Sequence, residues 1–257
     1  MSNNGGYTIA AENVSEANLR KFYEDAKKVL GVKCKDLDLI FEIALKDRKL
    51  FPNINLKGND KNPKNYIDRW VKGYSEARNN LPHRRIAKPK STCNDPAITV
   101  MVRVARNMTE QQSNIGVSNH NLFMSAENIQ GNLLEEYIAL KIRPYGFLWC
   151  NGNVLHAIDF CNSNGSFFLQ VKNKSNTENS SSDKIREGTT IEKWYRLGTK
   201  ICNGVKVPDF KWDSLNGLIK RHRTEGADIS PCNMSEEDYQ NFLKNVALEN
   251  RELITDL

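Results

Sequence analysis

Long apolar runs, zinc-type cysteine spacings and nucleotide-binding loops are all missing from this sequence. No stretch approaches the roughly 20 apolar residues needed to cross a bilayer, and the opening MSNNGGYTIA has neither a basic start nor a long apolar segment. We therefore expect a cytoplasmic protein without membrane association. A Gly-rich phosphate loop, a nucleophile elbow and a His-rich metal signature are also absent, which argues against a nucleotide cofactor and against an unrelated small-molecule enzyme.

The six cysteines are scattered along the chain. No Cys-x-x-Cys pair occurs, and the four histidines show no ligand spacing to a cysteine, so neither a disulfide framework nor a structural zinc site is supported. Reduced and mostly buried thiols are the better interpretation. Cys150 and Cys161 lie in apolar, strand-like runs, and we predict that both belong to the core.

What the chain does have is the composition of a globular protein with a basic bias. Its 257 residues are 39% hydrophobic and 26% charged, enough for one large domain or a compact pair. The net charge of +6 favours a polyanionic partner. Residues 61–90 hold nine Lys or Arg against two acids. This segment either lies against phosphates or forms a solvated face packed on Tyr66, Trp70 and Tyr74.

The most informative segment is AIDFCNSNGSFFLQVKNK, residues 157–174. Two apolar runs flank the polar turn Asn162–Gly165, which predicts a β-hairpin. Because side chains alternate along a strand, Gln170 and Lys172 share one face, and both are expected to be buried. Asp159, at the end of the first run, is positioned to bring a carboxylate to them.

Such a group has the donors of a magnesium site. Mg²⁺ keeps several waters and takes only one or two carboxylates in many phosphate-processing sites. Asp159 would be the carboxylate ligand, the Gln170 side-chain oxygen a neutral second ligand, and the Val171 carbonyl a further one. Lys172 would orient the attacking water or stabilise the charge that develops on the phosphate.

The order Asp, then Gln-x-Lys across two strands, after a helix that carries a glutamate, resembles the PD-(D/E)XK nuclease superfamily. Gly131 and Glu135 in the helix SAENIQGNLLEEYIALKI match its Gly-x-x-x-Glu spacing. The resemblance implies Glu135 as a further catalytic and metal-binding residue, with Glu136 as the alternative. Ile158 stands where the motif has proline, and Gln170 where it usually has a second acid.

The resemblance further implies a type II restriction endonuclease that uses Mg²⁺ and acts on double-stranded DNA. It leans toward the SinI-type enzymes, which cut GGWCC-like sites. Cutting both strands of a short palindrome calls for two active sites related by a two-fold axis, so we expect a homodimer. The implied fold class is α/β: a mixed central sheet flanked by helices, in a restriction-endonuclease-like core with a helical N-terminal region.

Two alternatives remain open. Loss of an anionic ligand at Gln170 favours a non-catalytic DNA-binding protein with a decayed nuclease site. A DNA repair or resolvase-type nuclease is the other alternative. About 115 residues precede the core and more than 80 follow it, which favours a restriction enzyme over a minimal resolvase.

Several basic residues are candidates for DNA contact. One group lies in or around the Ser/Asn-rich loop at 175–188, and the other lies in the basic segment that ends near residue 90. The candidates are Lys174, Lys184, Arg186, Lys193, Arg84, Arg85, Lys88 and Lys90.

We divide the chain into a mainly helical recognition or scaffold region, residues 1–115, and a nuclease core with C-terminal helices, residues 116–257. Capping residues and apolar periodicity predict the individual elements. Helices are predicted at 15–31, 36–49, 64–79, 125–143 and 189–201, with two more in the C-terminal part, and strands at 146–150, 153–161 and 165–173. Residues 97–107 fit either a strand or a helix.

Overall fold

A computed structural model of the chain describes residues 6–86, 95–174 and 191–254. It contains two compact units, which we call the sheet unit and the helical unit. The sheet unit comprises Met1–Asn80 with Ile138–Glu236, and the helical unit comprises Leu81–Tyr137 with Glu237–Leu257. No helix among the described residues is long and apolar enough to cross a membrane.

Three helices open the sheet unit: α1 (Glu16–Leu30), α2 (Lys35–Lys46) and α3 (Pro63–Asn79). The Ser15 hydroxyl caps α1 by accepting from the Asn18 amide, and Gly31 ends it at φ 65°. Asn62 caps α3 in the same way. The predicted helices at 15–31 and 64–79 are confirmed. The helix predicted to reach residue 49 ends at Lys46, where a short 3₁₀ turn, Arg48–Leu50, follows.

Aromatic rings from these helices form the centre of the core. Tyr23 stacks on Phe41 with centroids 3.9 Å apart, and Trp70 packs edge-on against Tyr23. Tyr66 is fully buried, and its hydroxyl donates to the Pro52 carbonyl at 2.7 Å. Tyr66, Trp70 and Tyr74 are therefore core residues, as the solvated-face interpretation of the basic segment requires.

Five strands form one mixed sheet in the described chain: β1 (Phe147–Trp149), β2 (Phe160–Asn162), β3 (Phe168–Lys174), β4 (Ile191–Cys202) and β5 (Val205–Phe210). They lie in this order, and all neighbours are antiparallel except the parallel pair β3 and β4. Residues of α1, α2 and α3 share a core with Cys161 on one face. On the other face, Trp194 packs against Trp212 of α6 (Trp212–His222). The predicted mixed sheet flanked by helices is confirmed.

The helix predicted at 189–201 is wrong, because this segment is β4. Its residues pair in register with β3 from Phe168–Ile191 to Lys174–Leu197. Trp194 and Arg196 are buried while their sequence neighbours are more exposed, which is the two-residue alternation of a strand.

The helical unit contains α4 (Pro96–Ala105) and most of α5 (Glu110–Ile142) and α7 (Glu236–Glu249). The ambiguous segment at 97–107 is thus a helix, begun by Pro96 and capped by the Asp95 carboxylate, which accepts from the Ala97 amide at 2.9 Å. The helix predicted at 125–143 begins 15 residues earlier, at Glu110. Tyr137 and Tyr239 pack with centroids 5.3 Å apart in this unit.

Candidate active site

The site is built on the β2–β3 hairpin, whose turn is closed by one asparagine. The Asn162 side-chain oxygen accepts from the Phe167 amide at 2.9 Å, and its amide group donates to the Ser166 hydroxyl and to the His222 carbonyl. Gly165 has φ 74°, a conformation that favours glycine. The predicted hairpin is confirmed, although β2 is only three residues long.

Asp159 lies immediately before β2 and bridges the neighbouring strands. Its backbone amide donates to the Leu169 carbonyl at 3.0 Å, and its carbonyl accepts from the Cys150 amide at 2.9 Å. The Asp159 carboxylate accepts from the Val171 amide at 2.7 Å. The half-buried carboxylate is therefore held against β3 at the level of the Gln-x-Lys segment.

The loop that delivers Asp159 is tied down along its length by the N-terminal helical layer. Trp70 donates its ring N–H to the Val154 carbonyl at 2.8 Å, and Asn151 donates to the Ala77 carbonyl at 3.1 Å. Ile158, at the position of the motif's proline, is buried in the same core. Ala157 has φ 59°, a strained conformation that surrounding contacts must hold in place.

Gln170 is 6% exposed and lies opposite Asp159 when the β2–β3 register is continued by one residue. Its side-chain oxygen, Oε1, is buried and accepts no hydrogen bond in the part of the chain that the structure describes. Such an orphaned acceptor costs stability unless something binds it. The unsatisfied Gln170 oxygen is the strongest chemical indication that a ligand binds at this site.

Lys172 shares the face of Gln170 but is exposed, so the prediction that it is buried is wrong. The cause is that β3 leaves the interior at its C-terminal end, where burial changes to exposure after Val171. The register sets Gln170 beside Lys193 and Lys172 beside Tyr195. Asp159, Gln170 and Lys172 thus occupy one end of one sheet face.

Cys150 and Cys161 are buried next to this site, as predicted, with their sulfurs 3.7 Å apart. Burial, strengthened by the neighbouring Cys161 thiol, raises the pKa of the Cys150 thiol well above its usual value. Both cysteines are free. The prediction of reduced core thiols is therefore confirmed at these two positions.

The two candidate glutamates lie on the α5 segment of the helical unit. Glu136 is 3% exposed and its carboxylate accepts from the His83 amide at 3.0 Å and contacts the His83 ring nitrogen Nδ1. That carboxylate already holds the loop at residues 81–86. Glu135 is half-buried. The described residues contain no group of three His, Cys, Asp or Glu side chains placed to hold a metal.

The predicted DNA contacts fall in three places. Lys174 and Lys193 lie on β3 and β4 beside the site, with the Lys193 amine 5.9 Å from the Tyr195 ring centre. Arg84 is exposed in the helical unit, and the Arg85 carbonyl accepts from Asn250 at 3.1 Å. Lys88, Lys90, Lys184 and Arg186 lie outside the described residues.

Two features near the site were missed by sequence reasoning, and the first is the β4–β5 hairpin. Beyond the Lys174–Leu197 pairing, β4 continues to Cys202 and has only β5 beside it in the described sheet. This last part of β4 and most of β5 are exposed. Asn203 and Gly204 form its turn with φ 51° and 76°. The dipeptide Asn-Gly between two β-branched runs is a hairpin signal that was available in the sequence.

The second feature is Arg196, which is 6% exposed on β4. Its guanidinium donates to the Asn173 side chain at 2.8 Å and pairs with the Glu236 carboxylate at 2.6 Å. Trp212 also donates to Glu236, at 2.9 Å. Arg196, held by the ion pair, thereby fixes Asn173, the residue next to Lys172. No local sequence pattern indicates that its partner Glu236 lies 40 residues away.

Comparison with known proteins identifies the family of this chain. The model of the SinI restriction endonuclease family matches residues 64–245. The chain belongs to the SinI restriction endonuclease family. The matched range contains α3 from Lys64 onward, all five described strands and every described residue of the candidate site.

Two relatives agree with this membership. The type II restriction enzyme Eco47I of Escherichia coli is 32% identical over 232 residues, which cover 86% of this chain and 92% of the relative. The type II restriction enzyme SinI of Salmonella infantis is 31% identical over 186 residues, covering 70% and 71%. The predicted resemblance to SinI-type enzymes and the predicted class, a type II site-specific deoxyribonuclease, are confirmed.

Proposed function

We propose that this SinI-family chain is a Mg²⁺-dependent endonuclease that hydrolyses phosphodiester bonds of double-stranded DNA at a short specific site. The observation that carries the proposal is the buried oxygen of Gln170, which accepts no hydrogen bond from any described residue and lies one residue from the Val171 amide that holds the Asp159 carboxylate. A ligand-free acceptor beside a fixed carboxylate suits a hard cation. The exposed Lys172 lies on the same face.

The donors at this point fit Mg²⁺. The Asp159 carboxylate, the Gln170 oxygen and the Val171 carbonyl would hold it, with Glu135 as a further predicted ligand. When bound, the ion supplies Lewis-acid stabilisation of the charge that develops on the phosphoryl oxygens. Using an amide in place of a second carboxylate leaves the site one negative charge weaker, which lowers its affinity for the cation.

Each side chain then has a distinct task. The Val171 amide orients Asp159 by a hydrogen bond to one carboxylate oxygen. Lys172 is exposed, so its amine can reach an incoming phosphate, orient the attacking water and offset the negative charge of the transition state. Arg196, through Asn173, keeps the end of β3 in place.

The DNA would lie across the exposed end of β3 and β4. Lys174 and Lys193 lie beside the catalytic group, and the β4–β5 hairpin continues from there with the exposed Lys200 and Lys206. A two-stranded antiparallel ribbon fits into the major groove of B-DNA. We assign the hairpin, together with the helical region 1–115, to DNA recognition or its support, and residues 116–257 to the nuclease core.

The enzyme would act as a homodimer, because a double-strand break at a palindrome needs two sites related by a two-fold axis. Family membership counts against both the decayed DNA-binding protein and the resolvase-type nuclease. A target of the GGWCC type is the starting expectation for the recognised sequence.

Digestion of a plasmid of known sequence, with Mg²⁺ or with EDTA, tests the proposal. We expect double-strand breaks at one short sequence in Mg²⁺ alone, with ends that map to the same position on every copy. The Asp159→Asn variant should bind the same DNA without cutting it, and Lys21→Ala, an exposed lysine of α1, should cut normally. Cleavage that persists in EDTA, or that maps to branched structures, would contradict the proposal.

A further inference from the structure

Helix α4 presents its apolar side to solvent. Ile98, Met101 and Val104 are 56%, 64% and 72% exposed, and no residue of the ten-residue helix is buried. Val100 and Val102 are also exposed. A helix in a globular protein normally turns its apolar stripe toward a core, so this one is the reverse of the usual arrangement.

The polar side of α4 faces the protein instead. Thr99 and Arg103, four residues apart and hence on the same side, line a groove of about 520 Å³ between α4 and the start of α5. Across it lie Glu110, Ser113 and Asn114 of α5. The polar residues of α4 thus line the groove beside α5, and its apolar surface is left for another molecule.

The size of this surface matches a subunit interface. From their exposed fractions, the five apolar side chains present roughly 480 Å², about the 60% apolar share of a standard interface of ~800 Å² per partner. A contiguous apolar patch of this size is among the largest that a typical monomer exposes, and such patches are often functional. Within the described helix Pro96–Ala105, Arg103 is the one cation, and DNA would require more cations than that.

We propose that α4 is the surface through which two copies of this chain form the catalytic dimer. The proposal rests on the function given above, since a palindrome cutter needs a two-fold partner. A two-fold interface must be complementary to itself. The apolar face of α4 meets this condition, because exposed apolar side chains pack against a second copy of themselves without needing an opposite charge.

Sedimentation velocity without DNA or Mg²⁺, over 0.1–50 µM protein (roughly the range that resolves a micromolar Kd), tests the surface. We expect the wild type to be a dimer and the Met101→Glu and Val104→Glu variants to dissociate at least tenfold more readily. Val29→Glu, an 84% exposed apolar residue of α1, is the matched control and should dimerise normally. Circular dichroism and thermal melting of each variant show whether it is folded.

A monomeric wild type at 50 µM (a concentration above most specific homodimer Kd values), or folded α4 variants that dimerise like the wild type, would overturn the proposal. So would α4 variants that keep the dimer and lose DNA affinity, since the surface would then face DNA. None of these readouts depends on cleavage.

Discussion

Replacing Gln170 by methionine should make the protein more stable and inactive. The Gln170 side chain is 6% exposed and its oxygen has no hydrogen-bond donor among the described residues. Leaving a buried acceptor unsatisfied costs about 1–3 kcal/mol. Methionine has nearly the same length and no strong acceptor, so Gln170→Met removes this cost while keeping the packing.

We expect the free energy of unfolding to rise by about 1–2 kcal/mol. For a protein of this size, 1 kcal/mol changes Tm by about 2–4 °C, so Tm should rise by about 2–6 °C in EDTA. Differential scanning calorimetry in EDTA and in Mg²⁺ measures both effects. In Mg²⁺ the wild type should gain stability by binding the ion, and Gln170→Met should gain less.

Gln170→Glu is the informative control, because it keeps an oxygen ligand and adds a charge. Burying a carboxylate without a cation is costly, so this variant should be less stable than the wild type in EDTA and gain more from Mg²⁺. The reasoning is refuted if Gln170→Met is destabilised, because the amide would then belong to a structural network. It is also refuted if Gln170→Met cuts DNA at the wild-type rate.

Three further predictions follow from the same geometry. Lys172→Ala should abolish cleavage and change the free energy of unfolding by less than about 0.5 kcal/mol, because the side chain is exposed; retained cleavage in Mg²⁺ would disprove its role. Gly152→Ala should cost about 2–3 kcal/mol by thermal unfolding, since φ is +83° and the new Cβ would lie 2.8 Å from a backbone oxygen of α3; an unchanged Tm would contradict the close packing. The double variant Lys200→Ala and Lys206→Ala should weaken DNA binding and reduce the salt dependence of log Kd by about 2, whereas Lys21→Ala should leave both unchanged; an unaltered slope would exclude the hairpin from the interface.

Local chemistry made part of this fold predictable. Ser15 and Gly31 delimit α1 because a capping hydroxyl and a left-handed glycine act within four residues of themselves. The prediction of the Asn162–Gly165 turn holds for the same reason, since the two hydrogen bonds of Asn162 that close the turn are made with Ser166 and Phe167, within five residues. The order of Asp159, Gln170 and Lys172 could be recognised because a hairpin brings together residues that are close in sequence.

Strand β4 shows where such signals fail. Trp194, Leu197 and Ile201 recur at helical spacing, a pattern that fits the helix predicted at 189–201. In the fold it pairs in parallel with β3, whose residues precede their partners by 23 positions, and that pairing sets its conformation. Tertiary context therefore outweighed the local pattern. The Asn203-Gly204 turn was the one local sign of the true structure.

The sequence by itself determined the helical N-terminal layer, the β2–β3 hairpin and the alternation that assigns Gln170 and Lys172 to one face, because these depend on neighbours along the chain. Only the tertiary structure decided that Gln170 is buried, with an oxygen that no described residue satisfies, while Lys172 is exposed. The burial of a side chain depends on which other segments of the chain cover it. It also decided that Arg196 pairs with Glu236 and that α4 turns its apolar side outward. Contacts between distant segments have no local signature, and these contacts set the chemistry of the site.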